Sequence, residues 1–317
     1  MPASLICVLL AVCSQTEGSE LVLSPPADDA YSHAWLNRPT RDEAESLRPD
    51  LSPTDLDLLS TSDTLELPGT RASASWLATG GRNGFGISDL EANHTWLLGY
   101  GDSPALEITP GLGMHFWSGP QALNLPPRVY DLYLDFAWRP WETDSGGLSV
   151  GLTPGMYGDF ERVDGDMFQL TGWLMGNWRI QDNLNLLFGV AYLRQARSQV
   201  LPIGGLTWTP NDDTRVELLI PKPKVARRFV ETESGSTWWF VAGQLGGGAW
   251  AVADSPTDNV LLRYSDLRLL LGLEHFELTG REWSIEAGYV FSRNISVDNT
   301  SVFSPSSTLL LQGSVAF

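Results

Sequence analysis

Hydrophobic and polar residues alternate along most of the chain after Thr70. In residues 129–138, Tyr130, Leu132, Leu134, Phe136 and Trp138 share one face, and Asp131, Tyr133, Asp135 and Ala137 share the other. A period of two puts successive side chains on opposite sides of a strand, so this segment predicts a strand with one apolar face. Residues 168–180 repeat the pattern: Phe168, Leu170, Leu174, Trp178 and Ile180 oppose Gln169, Thr171, Asn177 and Arg179. In 281–292, Trp283, Ile285, Ala287, Tyr289 and Phe291 alternate with Glu282, Ser284, Glu286 and Gly288. Weaker alternation marks 106–117, 148–157, 184–194, 238–251, 261–274 and 308–317. Many of these segments are about ten residues long, which is what a tilted strand needs to cross a bilayer.

Alternation also fits a soluble sandwich, in which one face of each sheet is dry, so the position of the aromatics decides. Trp138, Trp178, Trp208, Trp283, Tyr100 and Phe317 fall at or near segment ends. Interfacial girdles require that placement, whereas a sandwich core holds its bulky residues mid-strand. The opposite faces carry Gly, Ser, Thr, Asn and isolated charges, as a polar interior would. The expected fold class is therefore all-β: a closed antiparallel transmembrane β-barrel of 12–14 strands. With both termini periplasmic and short turns on that side, counting back from Phe317 gives fourteen strands if Pro221-Lys222-Pro223 is a turn, and twelve if a kinked strand runs through it. Pro110 and Pro154, both in Thr-Pro-Gly, are expected to mark bends or strand ends because proline cannot donate to a ladder.

Composition narrows the class. Of 317 residues, 43% are hydrophobic and only 18% charged, with 13 Trp and 31 Gly; a typical soluble domain is roughly 25% charged. No apolar run is long enough for a membrane helix. The net charge of −18 excludes a nucleic-acid partner, because phosphate neutralisation needs clustered Lys and Arg. Residues 1–13 read as a signal peptide that lacks its basic n-region, with an apolar core holding both cysteines, Cys7 and Cys13. The alternative there is a lipobox with Cys13 as the lipidated residue. Residues 14–69 hold 12 acidic residues against three arginines, half of the net negative charge, with scattered prolines. Such a segment buries too little to offset its ordering entropy and reads as a largely disordered acidic tail. Residues 70–317 are left for the barrel.

Residues 308–317 alternate and end on Phe317, which resembles the C-terminal signal read by the barrel-assembly machinery. The run Leu201-Pro202-Ile203-Gly204-Gly205-Leu206-Thr207-Trp208-Thr209-Pro210, followed by Leu218 to Pro223, resembles a segment of uncharacterised bacterial outer-membrane β-barrels known only as a domain of unknown function. That resemblance covers about residues 70–317 and implies a porin-like fold and an outer-membrane location. It implies no substrate.

Catalytic sets are sparse. Of four histidines, His115 lies three residues before Ser118, one too many for the His and Ser spacing of outer-membrane phospholipases, and the two would point to opposite faces. It reads as a lumen or interface histidine. His94 and His275 have no Ser or metal partner at useful spacing, and Glu161, Asp164 and Asp166 read as a solvated acidic loop. No cofactor, metal or catalytic residue is expected. Asp131, Asp135, Arg179, Arg194, Asp266, Arg268, Glu282 and Glu286 are expected to line the lumen, since a charge facing lipid would cost several kcal/mol. A basic cluster of Lys222, Lys224, Arg227 and Arg228 could line a constriction, meet lipid head groups or be a solvated turn. The function expected is a passive channel for small polar solutes in the bacterial outer membrane, with lipid and the assembly machinery as partners. A closed structural or envelope-interaction barrel is the alternative, and a lipid-modifying enzyme comes third.

Overall fold

The fold is that of a computed structural model, which describes residues 69–317 apart from 82, 99–105, 121–122, 124, 144, 195–197, 221, 255–258 and 299. The signal peptide, the acidic tail and the side chain of Arg194 lie outside the described residues. In chain order the strands are β1 (Gly69–Leu77), β2 (Gly86–Leu98), β3 (Leu106–Ser118), β4 (Arg128–Thr143), β5 (Gly146–Gly158), β6 (Phe168–Gln181), β7 (Leu184–Arg194) and β8 (Ser198–Asn211). They continue with β9 (Thr214–Ile220), β10 (Lys224–Thr232), β11 (Gly235–Ala253), β12 (Asn259–Glu277), β13 (Glu282–Val297), β14 (Thr300–Phe303) and β15 (Thr308–Ala316).

Each strand from β1 to β13 pairs antiparallel with the next, and β15 pairs with β13 on one side and β1 on the other. The result is a closed wall of fourteen strands; β14 is a short extra strand above it, hydrogen-bonded to β13. Closure is completed by backbone hydrogen bonds between Thr70 and Phe317 at 2.7 and 3.0 Å. Where its strands are paired, such a cylinder satisfies its backbone internally, which is the condition for crossing hydrocarbon; the part above the short β9 and β10 departs from this.

Alternation decides the faces as expected. On β13 Ile285 is 63% exposed and Val290 fully buried, and on β15 Leu309 is 62% exposed while Leu310 is fully buried. The outward face carries exposed Leu132, Leu152, Leu174, Phe188, Leu269, Leu271 and Leu311, a lipid belt. Trp138, Trp178 and Trp208 are exposed at its lower rim, and Trp76, Phe116 and Phe168 at its upper rim. Pro110 and Pro154 do not end strands: both sit within ladders, paired with Leu134 and Leu170. The reason lies in the following glycines. A Cβ at Gly111 would strike the ring of Tyr133 and one at Gly155 the ring of Tyr157, so each Thr-Pro-Gly turns its proline outward and opens inward space for a tyrosine.

Strand lengths are uneven. β11 and β12 have 19 residues each, β9 only 7. At about 3.3 Å per residue and a tilt near 40°, seven residues rise roughly 18 Å of a roughly 25 Å apolar band. Above that height β11, still paired with β12 up to Ala253, turns inward and meets β5 in a parallel bridge through Ala251 and Gly158. The bend falls at Gly246, Gly247 and Gly248. Gly247 has φ +125°, and its missing side chain leaves room for the carbonyl of Tyr264.

Candidate functional site

On β13, β15, β1, β2 and β3 the inward face changes near mid-height from polar residues around a chamber, on the side of the chain ends and expected to be periplasmic, to an apolar plug on the other, external side. Apolar clusters also reach into the lower half elsewhere: Trp173, Met175, Leu187 and Leu219 with Ala137, and Trp238 and Phe240 with Ala226. The plug is one packed cluster of Leu77, Phe85, Ile87, Trp117, Val129, Tyr133, Tyr157, Trp250, Val252, Leu262, Tyr264, Leu270, Val290, Ile295 and Leu310. Phe85 lies edge-on to Trp117 at 5.9 Å and to Tyr264 at 5.6 Å, and Trp117 lies edge-on to Trp250 at 5.3 Å. Such pairs add to burial through favourable ring quadrupole geometry. Arg293, only 3% exposed, ties the plug together by donating to Tyr264 Oη (2.8 Å), the Ser306 carbonyl (3.0 Å) and the Phe85 carbonyl (2.6 Å). A buried guanidinium is tolerable there because neutral acceptors meet all three of its nitrogens.

The crossing segment of β11 is held equally firmly. Gln169 Nε2 donates to the Ala249 carbonyl at 3.0 Å, and Asp159 both donates its backbone N–H to the Ala251 carbonyl (3.2 Å) and accepts from Ala253 N–H (2.9 Å). These contacts pair groups on the edge of β11 that β10 does not reach.

Beneath the plug, His115 on β3 bridges two carboxylates. Its Nδ1 is 2.8 Å from Asp89 Oδ1 on β2 and its Nε2 is 3.0 Å from Asp131 Oδ2 on β4. Asp89 also accepts from Ser75 Oγ at 2.7 Å, and Asp131, fully buried, accepts from Trp250 Nε1 at 2.7 Å. Ionised carboxylates only accept, so an imidazole between two of them is fully satisfied when it donates from both nitrogens. Ser75 faces Asp89 rather than the imidazole, so this is not a nucleophile and base pair. What the relay does is join β1, β2, β3 and β4 to the crossing strand.

The chamber below consists of two adjoining cavities of about 90 Å³ each, which share Arg71, Ser284, Glu286, Gln312 and Ser314 in their linings. By this measure a water needs roughly 10–15 Å³, so each holds several. The upper cavity reaches Ser75, Asp89 and His115; the lower one is lined by Glu217, Lys222, Lys224, Gln244 and Glu274. Charges here are mostly paired: Arg71 with Glu282 at 3.2 Å, Arg139 with Glu107 at 2.6 Å, Arg268 with Asp266 at 2.8 Å, and Lys224 with Glu274. Tyr133 donates to Glu91.

The residues expected to line the lumen are spread along this interior. Asp131 belongs to the His115 relay; Asp266 and Glu286 are buried and Arg268 is half-buried, and Glu286 accepts from Gln312 Nε2 at 2.7 Å. Asp135 accepts from Thr153 Oγ1 at 2.6 Å. Glu282 and Arg179 are half-buried near the periplasmic rim. The basic cluster divides. Lys222 and Lys224 line the lower cavity, Arg228 pairs with Asp213 (2.7 Å) and Glu231 (2.8 Å), and Arg227 is exposed on the outer face. Arg215 and Arg228 stack over Trp238 at 5.1 and 5.8 Å. His94 and His275 do have partners: each hydrogen-bonds a threonine of the neighbouring strand, Thr70 or Thr237, at 2.8 Å, and lies against a tryptophan.

Asp89, Ser75 and Trp250 were not among the expected site residues. The signal was available in register rather than spacing: Asp89 pairs directly with His115, and Asp131 with Gly113, two positions from His115 on the same face. Among the described residues no group of His, Cys, Asp and Glu is arranged to hold a metal ion.

No known sequence family matches the chain, and no curated protein matches it in sequence. Solved structures similar to it are membrane barrels at very low identity. LpxR from Salmonella typhimurium is 10% identical over 78% of this chain and 99% of that one, with a TM-score of 0.38. An outer membrane channel from Pseudomonas putida F1 is 12% identical over 84% and 100%, with a TM-score of 0.39. A mutant of the Rh. blastica porin is 8% identical over 80% and 100%, with a TM-score of 0.34.

Proposed function

We propose that the protein is a bacterial outer-membrane barrel of the closed kind, which holds a small polar chamber within the membrane and seals it from the exterior. The observation that carries this reading is the plug: the inward faces of the external half are filled by packed apolar side chains, and β11 crosses that half to meet β5. A freely conducting porin keeps a watered path along its axis, and packed aromatic rings oppose one. Partners in this reading are outer-membrane lipid and, through the strand ending at Phe317, the assembly machinery. The test is the conductance of the purified full-length protein in a planar bilayer. Membranes that take up the protein and stay electrically silent at low voltage are expected; a stable, large, ohmic channel overturns the closed barrel.

A second reading is favoured by the glycines at the bend of β11. If Gly246 to Gly248 let the crossing segment swing back to the wall, the same barrel becomes a porin-like channel for small polar solutes. Trp250→Ala, which removes the segment's hydrogen bond to Asp131, would then produce conductance that the parent protein lacks.

A further inference from the structure

The barrel wall is incomplete on one side. β9 ends at Ile220, paired with Gly204 of β8, and β10 begins at Lys224, paired with Ala242 of β11. Above this height β8 continues from Ile203 to Ser198 paired with β7 alone, and β11 continues from Gly243 paired with β12 alone until it bridges β5 at Ala251. Among the described residues, two strands are therefore missing between β8 and β11. Three strand spacings separate those neighbours at the base of the gap, roughly 14 Å.

The gap opens on hydrocarbon. Its flanks carry Phe188 and Val190 on β7 and Leu269 and Leu271 on β12, all exposed, while Ile220 and Val225 face outward just below it. Unpaired strand edges at that depth cost several kcal/mol for each unsatisfied group. The sequence lowers the number of donors there: Pro202 lies on the free edge of β8, and prolines 221 and 223 flank Lys222. Gly243 N–H is taken up by the Pro223 carbonyl at 2.8 Å. Directly behind the base lies the lower cavity, with Lys222, Gly243 and Gln244 in its lining and Glu217, Lys224 and Glu274 further in.

We infer that this gap is a lateral portal through which a membrane amphiphile, a molecule with a hydrocarbon tail and a polar head, reaches the chamber. The inference rests on the closed-barrel reading, in which the axial route is blocked by the plug. Hydrocarbon on one side excludes a fully polar solute, and the charged lining on the other excludes a purely apolar one. An amphiphile satisfies both, with its head among Lys222, Gln244 and Glu217 and its tail left in the gap.

The test is quenching from the lipid phase. Full-length protein with Cys7 and Cys13 changed to serine is given one bimane-labelled cysteine in place of Gln244 at the portal, Ser73 in the upper cavity away from it, or Leu269 on the lipid face. Each is placed in phosphatidylcholine vesicles carrying a mid-chain nitroxide either on the phospholipid or on stearate. The probe at Gln244 is expected to lose most of its fluorescence, as at Leu269, while the probe at Ser73 keeps its own. Quenching by stearate alone assigns the portal to single-chain amphiphiles, and quenching by both assigns it to phospholipid as well. A probe at Gln244 as little quenched as that at Ser73 overturns the portal, as does equal quenching at the two sites. Lys222→Cys repeats the measurement should Gln244→Cys fail to assemble. A large axial conductance would defeat the closed barrel without altering these quenching patterns, so the two failures are distinguishable.

Discussion

The external and periplasmic halves of this barrel share the same strands and the same alternation, yet their interiors obey opposite rules. Going outward along the inward face, β1 passes from Arg71, Ser73 and Ser75 to Leu77, and β13 from Glu282, Ser284 and Glu286 to Val290. β15, read from its end, passes from Ser314 and Gln312 to Leu310, and β12 from Arg268 and Asp266 to Tyr264 and Leu262. On β12 the order is less simple, because Leu270 of the plug precedes Arg268 and Asp266 on the way outward. His115 and Trp250 meet near this change. Below it polar groups keep water and one another as partners; above it the side chains exclude water and gain by burial and close packing. The difference teaches that facing inward in a membrane barrel says nothing about being wet. The chemistry of an inward position depends on how much space the opposite wall leaves, and here β11 takes that space in the external half.

A charge placed at equivalent positions in the two halves should break or confirm the contrast most strongly. Val290→Asp puts a second carboxylate opposite Arg268, whose guanidinium Asp266 already holds, and among Leu310 and Ile295 of the plug, a change that should cost about 3–5 kcal/mol. Ser284→Asp, on the same strand and face but lining the chamber, should be tolerated. Heat-modifiable migration on a denaturing gel reads the outcome: the first variant should lose the compact unboiled band and the second keep it. Equal loss in both would mean that the periplasmic half is as dry as the external one.

The boundary itself predicts the next effect. Asp131 has both oxygens engaged, by His115 and by Trp250, so Asp131→Ala leaves two buried groups without their acceptor and should cost about 3 kcal/mol, seen as a lower urea midpoint. Asp131→Asn retains an acceptor oxygen for one of them and should recover part of the loss. An alanine variant as stable as the parent would show that the relay does not hold β11 in place.

Much of this was legible before any coordinates. Strand faces and the aromatic rims follow from a period of two, because each wall residue sees either lipid or interior; the count was left at twelve or fourteen, and the break between β9 and β10 decides for fourteen. The polar-to-apolar change along the inward faces was also present in the residues, but it shows only when neighbouring strands are set in register; strand by strand, Val290 or Leu77 looks like ordinary strand hydrophobicity. Register is likewise what unites Asp89, His115 and Asp131, which lie 16 or more residues apart in sequence. The crossing of β11 was not legible. Gly243 to Gly248 announce a place where side chains would collide, yet the direction of the bend depends on Gln169, Asp159 and the carbonyl of Tyr264, contacts with no local signature.

The smallest effect belongs to the chamber's ion pairs. Arg71 and Glu282 meet at 3.2 Å near the periplasmic rim, with side chains 24% and 35% exposed, so water screens them and removing either partner leaves the other able to hydrate. Glu282→Gln should therefore change stability by less than about 1 kcal/mol, and the parent and variant should converge further as salt is raised. This is the opposite of Asp131→Ala, where no water replaces the lost acceptor. Urea titrations at low and high ionic strength give the comparison directly. A loss at Glu282 as large as that at Asp131, unaffected by salt, would mean that the chamber is sealed at its periplasmic end too, and that the contrast between the two halves is one of residue type alone and not of access to water.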